Sequence, residues 1–275
     1  MIVQKSPSDD HIYIQLTKRL HYMPFCADFG PLNLGTQHLI CKQMHVLLAH
    51  PTLQRSKIIF YTPYVTTEIT NSIFLIGSYL VLYMGFTPDE AFEPFVNLDP
   101  SLSLPYRDAT WVKSTFDLHI IDCLEAVQKA VMVGIFKHDE FDCAEYLYYD
   151  DPANGDIHEV LPGKFIAFRG PTSDSGSGTG SLTARQQRAS GILGFGAKDF
   201  LKVFQAKNVS TIVRLNSPKY RASTFTRAGF KHVDLRFIDC GVPSDKIVDR
   251  FLRVAEEAQG IIAVHCLAGK DVYRY

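Results

Sequence analysis

The chain has 275 residues, enough for one large domain or two of ordinary size. Hydrophobic residues make up 46% of it, which supplies a packed core and excludes a disordered chain. The formal net charge is -1, so the overall balance favours neither a nucleic-acid nor a membrane surface, and any recognition of an anion has to be local.

The first ten residues are polar with no apolar stretch, so no secretory signal is expected there. Residues 11–17 alternate Ile12, Ile14 and Leu16 with Tyr13, Gln15 and Thr17, a strand pattern. Residues 34–50 read as a helix. The run KIIFYT at 57–62 reads as a buried strand and feeds a helix over 66–83. Part of that helix, SIFLIGSYLVLYMGF at 72–86, is shorter than the roughly 20 apolar residues of a membrane span. It also carries Gly77, Ser78 and Tyr83, and is read as a buried core helix. Thr87-Pro88-Asp89-Glu90 starts another helix, with a Thr cap, Pro at the first position and Glu closing a capping box; it runs to about Asn97. Residues 116–136 form a long helical segment, with Leu118, Ile121, Cys123, Leu124, Val127 and Val131 near helical spacing.

DDPANGDIHEVLPG, at 150–163, reads as loop. It sets the expected division: one domain over 1–150, a linker over 151–163 and a second domain over 164–275. A Ser-, Gly- and Thr-rich run at 172–191 reads as a flexible surface insertion. The second half alternates strand and helix: strands at 164–169, 209–215 and 232–238, helices at 197–207 and 220–228, the latter ended by Gly229. The clearest helix covers 243–260, with Ser244 as cap, Asp245 in the first turn, Ile247, Phe251, Leu252 and Ala255 on one face, and Gly260 as stop. Residues 260–265, GIIAVH, form a short all-apolar strand of the central parallel kind. The fold class is α/β in both halves.

Six cysteines, Cys26, Cys41, Cys123, Cys143, Cys240 and Cys266, are scattered, without a Cys-x-x-Cys pair or zinc spacing. Neither a disulfide framework nor a metal site is expected, and reduced thiols are the default. Cys266 differs from the rest by its position just past the carboxyl end of a central strand, where open α/β sheets bind ligands. Small residues and Gly269 follow it. A turn there points several backbone N–H groups inward, a nest for phosphate that the positive end of a following helix reinforces. The same field lowers the cysteine pKa, and the thiolate attacks phosphorus and holds the phosphoryl group until water releases it. The plain alternative is an inert core thiol. Asp239 follows the strand at 232–238 and can protonate a leaving alkoxide. Its plain alternative is a turn-capping aspartate.

Several longer words carry a resemblance. They are FCADFGPLNL (25–34), FLIGSYLV (74–81), PYRDAT (105–110), NGDIHEVLPGKFIAFRGP (154–171), TIVRLN (211–216), FTRAGFKHVDLRFID (225–239), PSDKIVDRFL (243–252) and AVHC (263–266). Over residues 25–269 the chain resembles the dual-specificity phosphatases called cell division cycle protein fourteen, which promote mitotic exit. The resemblance implies two tandem phosphatase-like domains, each a central, mostly parallel sheet flanked by helices, the second incomplete at its C-terminal side. The first lacks a nucleophile, and here the strand at 57–62 runs into Pro63-Tyr64-Val65 with no cysteine loop. In the second, the resemblance makes Cys266 the nucleophile, Asp239 the general acid, and His265 a residue that tunes the cysteine by hydrogen bonding. Ala268 and Gly269 belong to the phosphate-binding loop. No metal or cofactor is implied.

The implied substrates are phosphorylated proteins, at phosphoserine or phosphothreonine followed by proline as in cyclin-dependent-kinase sites, and at phosphotyrosine. A basic residue further along the substrate is read by an acidic groove whose carboxylates map to Leu147, Asp150 and Asp156; the leucine is a departure that weakens that preference. Neither nucleic acid nor membrane is an implied partner, oligomeric state is open, and the implied compartments are nucleus and cytoplasm, including spindle poles.

A larger departure lies in the loop itself. The family has an arginine six residues after the cysteine; here that position is Val272, and Arg274 is two residues late. An arginine fork grips two phosphate oxygens and stabilises transition-state charge, which valine cannot do, and Lys270 brings charge without the fork. GKDVYRY at 269–275 therefore reads as foreign to the family: a truncated transcript, a retained intron or a gene-model error. The expectation for this chain is little or no turnover, a loss of about 3 kcal/mol, roughly a hundredfold, or more. The alternative function is a catalytically dead module that binds proteins through the acidic groove. A redox role for Cys266 is least favoured, because no resolving cysteine is close in sequence.

Overall fold

In a computed structural model the described residues are 2–5, 11–16, 22, 24, 27–53, 56–109, 113–114, 116–171, 174, 195–238 and 241–266. The chain divides into two units, Met1–Cys143 and Ala144–Tyr275.

The first unit holds strands β1 (Ile2–Lys5), β2 (His11–Gln15) and β3 (Lys57–Tyr61), in the order β1-β2-β3. β1 and β2 are antiparallel, β2 and β3 parallel. The alternation expected in β2 is present: Ile12 and Ile14 are buried, Tyr13 is exposed. Helix α1 (Leu34–Leu48) starts where Thr36 N–H donates to the side chain of Asn33 at 2.9 Å. α2 (Thr66–Met84) carries the unit's core, burying Ile73, Phe74, Leu75 and Tyr79. Its polar Ser78 is satisfied internally, donating to the Phe74 carbonyl and accepting from Gln37 Nε2, each at 2.7 Å. Among the described residues no helix is long and apolar enough to cross a membrane.

α3 (Pro88–Phe92) opens in the expected capping box, Thr87 N–H donating to Glu90 Oε2 at 2.8 Å and Glu90 N–H to Thr87 Oγ1 at 3.3 Å. It runs on into a 3-10 turn at Glu93–Phe95. α4 (Ile120–Met132) is shorter than expected at both ends. Leu118 is extended and exchanges both backbone hydrogen bonds with Tyr106, at 2.8 and 3.0 Å. The helix begins only where Asp122 accepts from His119 N–H at 2.7 Å. The apolar spacing at Leu118 served a bridge and not a helical face.

The division falls at the first residue of α5 (Cys143–Asp150), a helix the sequence reading lacks. The second unit then contains β4 (Ile157–Leu161), β5 (Phe165–Phe168), α6 (Leu201–Ala206), β6 (Val209–Arg214), α7 (Ser223–Thr226), β7 (Lys231–Asp234), α8 (Asp245–Glu257) and β8 (Ile261–His265). The sheet order is β4-β5-β8-β6-β7, parallel throughout except for β4 against β5. Residues 151–163 are therefore not a linker. Pro152–Asn154 make one 3-10 turn, Gly155 (φ 108°) and Asp156 (φ 50°) reverse the chain in left-handed conformations, and β4 joins the sheet edge. The insertion read at 172–191 lies outside the described residues except for Asp174.

α8 ends at Glu257, two residues earlier than its expected stop allows, with Ala258 extended. Gly260 has a different role: a Cβ there would lie 2.6 Å from the Asn208 carbonyl oxygen, so the turn into β8 passes close under that loop. Ser244 occupies the N-cap position of α8 but makes no side-chain cap hydrogen bond. One face of the sheet is filled by Phe168, Phe200, Phe204, Phe225 and Phe230 against Ile166, Ile212 and Ala263. The other packs Val213, Val233 and Ile262 against Val254 and Ala255 of α8. Packed on both faces, β8 is apolar from Ile261 to Val264, as central parallel strands are, and only its last residue, His265, is polar.

Candidate active site

β8 runs between β5 and β6, parallel to both, and Cys266 stands exposed at its carboxyl end. That placement separates it from the other described cysteines. Burial pushes the Cys41 thiol up to about 12 and that of Cys123 to about 11, so both behave as core thiols.

His265, the last residue of β8, is only 3% exposed. Its backbone carbonyl accepts from Leu215 N–H at 2.9 Å, tying the strand end to the residue after β6. Its ring lies against Phe168, centroids 4.8 Å apart. Nδ1 is 3.0 Å from the Cys266 carbonyl oxygen and Nε2 is 2.8 Å from Tyr220 Oη; the same phenol oxygen lies 2.9 Å from His232 Nε2.

Arg214, at the end of β6, buries its guanidinium beneath this group. Nε and Nη2 donate to the two Asp234 carboxylate oxygens at 2.6 and 3.0 Å. Nη1 donates to the Tyr220 carbonyl at 2.8 Å, and the guanidinium carbon sits 4.7 Å from the Tyr220 ring centroid. Asp234 is on β7, in register with Arg214, so neighbouring strands bring the ion pair together. Burial pushes His265 down to about 4, and the charge of Arg214 adds to this against the opposing pull of the Cys266 carbonyl. Burial and Arg214 likewise lower His232. Both imidazoles are neutral near pH 7, so no imidazolium stands beside Cys266.

Gly170 completes the described site. A Cβ on it would lie 2.3 Å from the Cys266 carbonyl oxygen and 2.8 Å from His265 Nδ1. Only glycine lets the segment after β5 pass this close.

Asp150 and Asp156 meet around a third residue, His158 of β4. Its Nε2 is 2.8 Å from Asp156 Oδ1 and its Nδ1 3.8 Å from Asp150 Oδ1. The hydrogen bond to Asp156 raises the His158 pKa, and both carboxylates add to the rise. Leu147, one turn before Asp150 on α5, is partly exposed. Asp239, Ala268 and Gly269 lie outside the described residues, as does Val272.

Sequence reasoning named Cys266 and His265 but missed Tyr220, His232, Arg214 and Gly170. One signal was available: Arg214 is the one charged residue of a strand that is otherwise uncharged, and a buried guanidinium needs a partner. Tyr220 and His232 carried no local mark.

Together the fold and the strand-end cysteine define the second unit as a phosphatase-type α/β domain. A family model described as "Dual specificity protein phosphatase, N-terminal half" matches residues 1–130, and one described as "Polymorphic toxin system, DSP-PTPase phosphatase" matches residues 193–271. The chain is 40% identical over 257 residues to dual specificity protein phosphatase CDC14A of Mus musculus, covering 94% of this chain and 41% of that protein. It is 34% identical over 263 residues to tyrosine-protein phosphatase cdc-14 of Caenorhabditis elegans, covering 94% of this chain and 35% of that one. To tyrosine-protein phosphatase CDC14 of Saccharomyces cerevisiae it is 31% identical over 265 residues, covering 95% and 47%. The chain belongs to the CDC14 family of dual specificity protein phosphatases. It spans about half the length, or less, of these relatives.

Proposed function

We propose that the protein acts as a cysteine-dependent phosphatase on phosphoproteins, with Cys266 as nucleophile. The observation that carries this is the exposed Cys266 at the carboxyl end of the central parallel strand, next to a His265 aimed at its carbonyl. In the reaction the thiolate attacks phosphorus and the bond from phosphorus to the substrate oxygen breaks. Asp239 gives its proton to the leaving alkoxide or phenoxide. Water, deprotonated by the same carboxylate, then attacks the cysteinyl phosphate and frees inorganic phosphate and the thiolate. Main-chain amides of the loop containing Ala268 and Gly269 hold the phosphoryl oxygens.

The substrate class is phosphoserine and phosphothreonine followed by proline, together with phosphotyrosine, and Asp150 and Asp156 read a basic residue further along the peptide. Their proximity in the second unit supports this. Action in nucleus and cytoplasm, spindle poles included, follows from the family resemblance alone. Hydrolysis of an aryl phosphate by this chain and by Cys266→Ser is the test. A rate that disappears in the variant is expected, and equal rates overturn the reading.

A second reading is favoured by one feature, Val272 where the family has arginine. In that reading the chain binds phosphoproteins without turning them over. Phosphopeptide binding by Cys266→Ser, with no hydrolysis by the unaltered chain, is the result that selects it.

A further inference from the structure

Tyr220 and the two histidines it joins admit one consistent order of protons. The Cys266 carbonyl oxygen only accepts, so the 3.0 Å contact from His265 places a proton on Nδ1. A neutral imidazole carries a single N–H, which leaves His265 Nε2 bare. The hydroxyl of Tyr220, 2.8 Å away, therefore donates to that nitrogen. Having given its only proton, the Tyr220 oxygen accepts at 2.9 Å from His232, whose N–H accordingly sits on Nε2. The charged groups facing this chain are Arg214, whose guanidinium lies over the Tyr220 ring, and Asp234, which Arg214 holds in a bidentate pair. The buried guanidinium opposes a second positive charge on either imidazole, and so preserves the neutral forms on which the order depends.

The geometry points to Tyr220 and His232 as positioning residues for Cys266: they lock His265 in the Nδ1–H tautomer that grips the Cys266 carbonyl. In the other tautomer a nitrogen lone pair would face that carbonyl oxygen at 3.0 Å, and the peptide plane carrying Cys266 would turn away. The Gly170 backbone passes close to the same carbonyl and to His265 Nδ1, where a Cβ would lie 2.3 and 2.8 Å from them, so the contact between ring and carbonyl sits in a confined space. The inference rests on the reading of Cys266 as nucleophile, and it adds two residues to the apparatus that presents the thiol.

The full chain, labelled with 15N in its histidine rings and assigned with His265→Gln and His232→Gln, tests this directly. Expected in the unaltered protein are the Nδ1–H tautomer at His265 and the Nε2–H tautomer at His232. A His265 carrying its proton on Nε2 overturns the inference without any variant having to fold. The second measurement is alkylation of Cys266 by iodoacetamide, followed by mass spectrometry of its peptide across pH. Tyr220→Phe lowers the rate near pH 6.5 by about threefold or more, the size of one hydrogen bond. His232→Phe lowers it too, whereas His232→Gln, which keeps an N–H donor, restores it. Profiles for Tyr220→Phe that superimpose on the unaltered protein also overturn the inference. Neither readout requires phosphoryl transfer, so absent turnover bears on the catalytic reading of this chain and not on the tautomer order.

Discussion

A methyl group on Gly170 would have to share space with the Cys266 carbonyl and His265 Nδ1, at 2.3 and 2.8 Å. Neither atom belongs to a flexible side-chain end: one is backbone, the other an imidazole held on three sides by Phe168, Tyr220 and the Cys266 carbonyl. Gly170→Ala is therefore expected to destabilise the second unit by about 1–3 kcal/mol. It is also expected to break the contact between His265 and the Cys266 carbonyl. Urea unfolding measures the first effect and the His265 ring 15N shifts the second. An unchanged midpoint with unchanged shifts contradicts both. His265 also sets a pH dependence. Its pKa is about 4 in the folded protein and returns towards 6.5 on unfolding, so between those values the unfolded chain binds the extra proton. The stability this provides is complete above pH 6.5 and is lost as pH falls towards 4, in total on the order of 3 kcal/mol. His232 is lowered as well and contributes in the same direction. Unfolding measured at several pH values between about 4 and 7 shows this slope, and His265→Gln flattens it.

At the scale of elements, the close approach of α2 and α4 depends on Gly77, where a Cβ would come within 2.8 Å of the wholly buried Leu124 side chain. Leu124 fills the notch the glycine leaves. Leu124→Ala empties it, and a loss of about 2–5 kcal/mol is expected in denaturant unfolding of the first unit. A loss under about 1 kcal/mol would mean that the two helices close on the gap. The elements themselves were legible in outline: α1 and α2 are long apolar-rich segments, and β3 and β8 are short β-branched runs bounded by turn residues. What was not legible depended on distant partners. Residues 150–163 hold the turn formers Asp, Pro, Asn and Gly at one end and an edge strand at the other; only pairing of Ile157 with Phe168 decides for the strand. α5 has no buried residue and no apolar stripe to announce it. Gly260 looked like a helix stop because its real constraint, the Asn208 carbonyl, is 52 residues away in sequence. The site divides in the same way. Cys266 and His265 were visible because a central strand points at them, while Tyr220, His232, Arg214 and Asp234 come from β6, β7 and the loop between them, and meet only through the parallel register.

For the molecule as a whole, the open question is whether the presented thiol is matched by the means to stabilise a transition state. The described apparatus secures presentation: a strand end paired on both sides, a neutral imidazole on the carbonyl, and beneath it a buried Arg214 guanidinium held by the half-exposed Asp234. The Arg214 guanidinium does not serve the phosphoryl oxygens, since it is committed to Asp234 and Tyr220. In the family the cation that does so is the loop arginine, and here its place in the sequence is taken by Val272. A bidentate guanidinium binds two equatorial oxygens and acts mostly in the transition state, so its effect falls on kcat more than on KM. Val272→Arg is accordingly expected to raise kcat/KM for an aryl phosphate by about a hundredfold or more. The double variant Val272→Arg with Cys266→Ser is expected to be inactive, which ties the gain to the thiolate. Val272→Lys, with charge but no fork, is expected to recover only a small part of it. If Val272→Arg and the unaltered chain hydrolyse the substrate at the same rate, position 272 is not where the phosphoryl group is held, and the loop binds its anion by another arrangement.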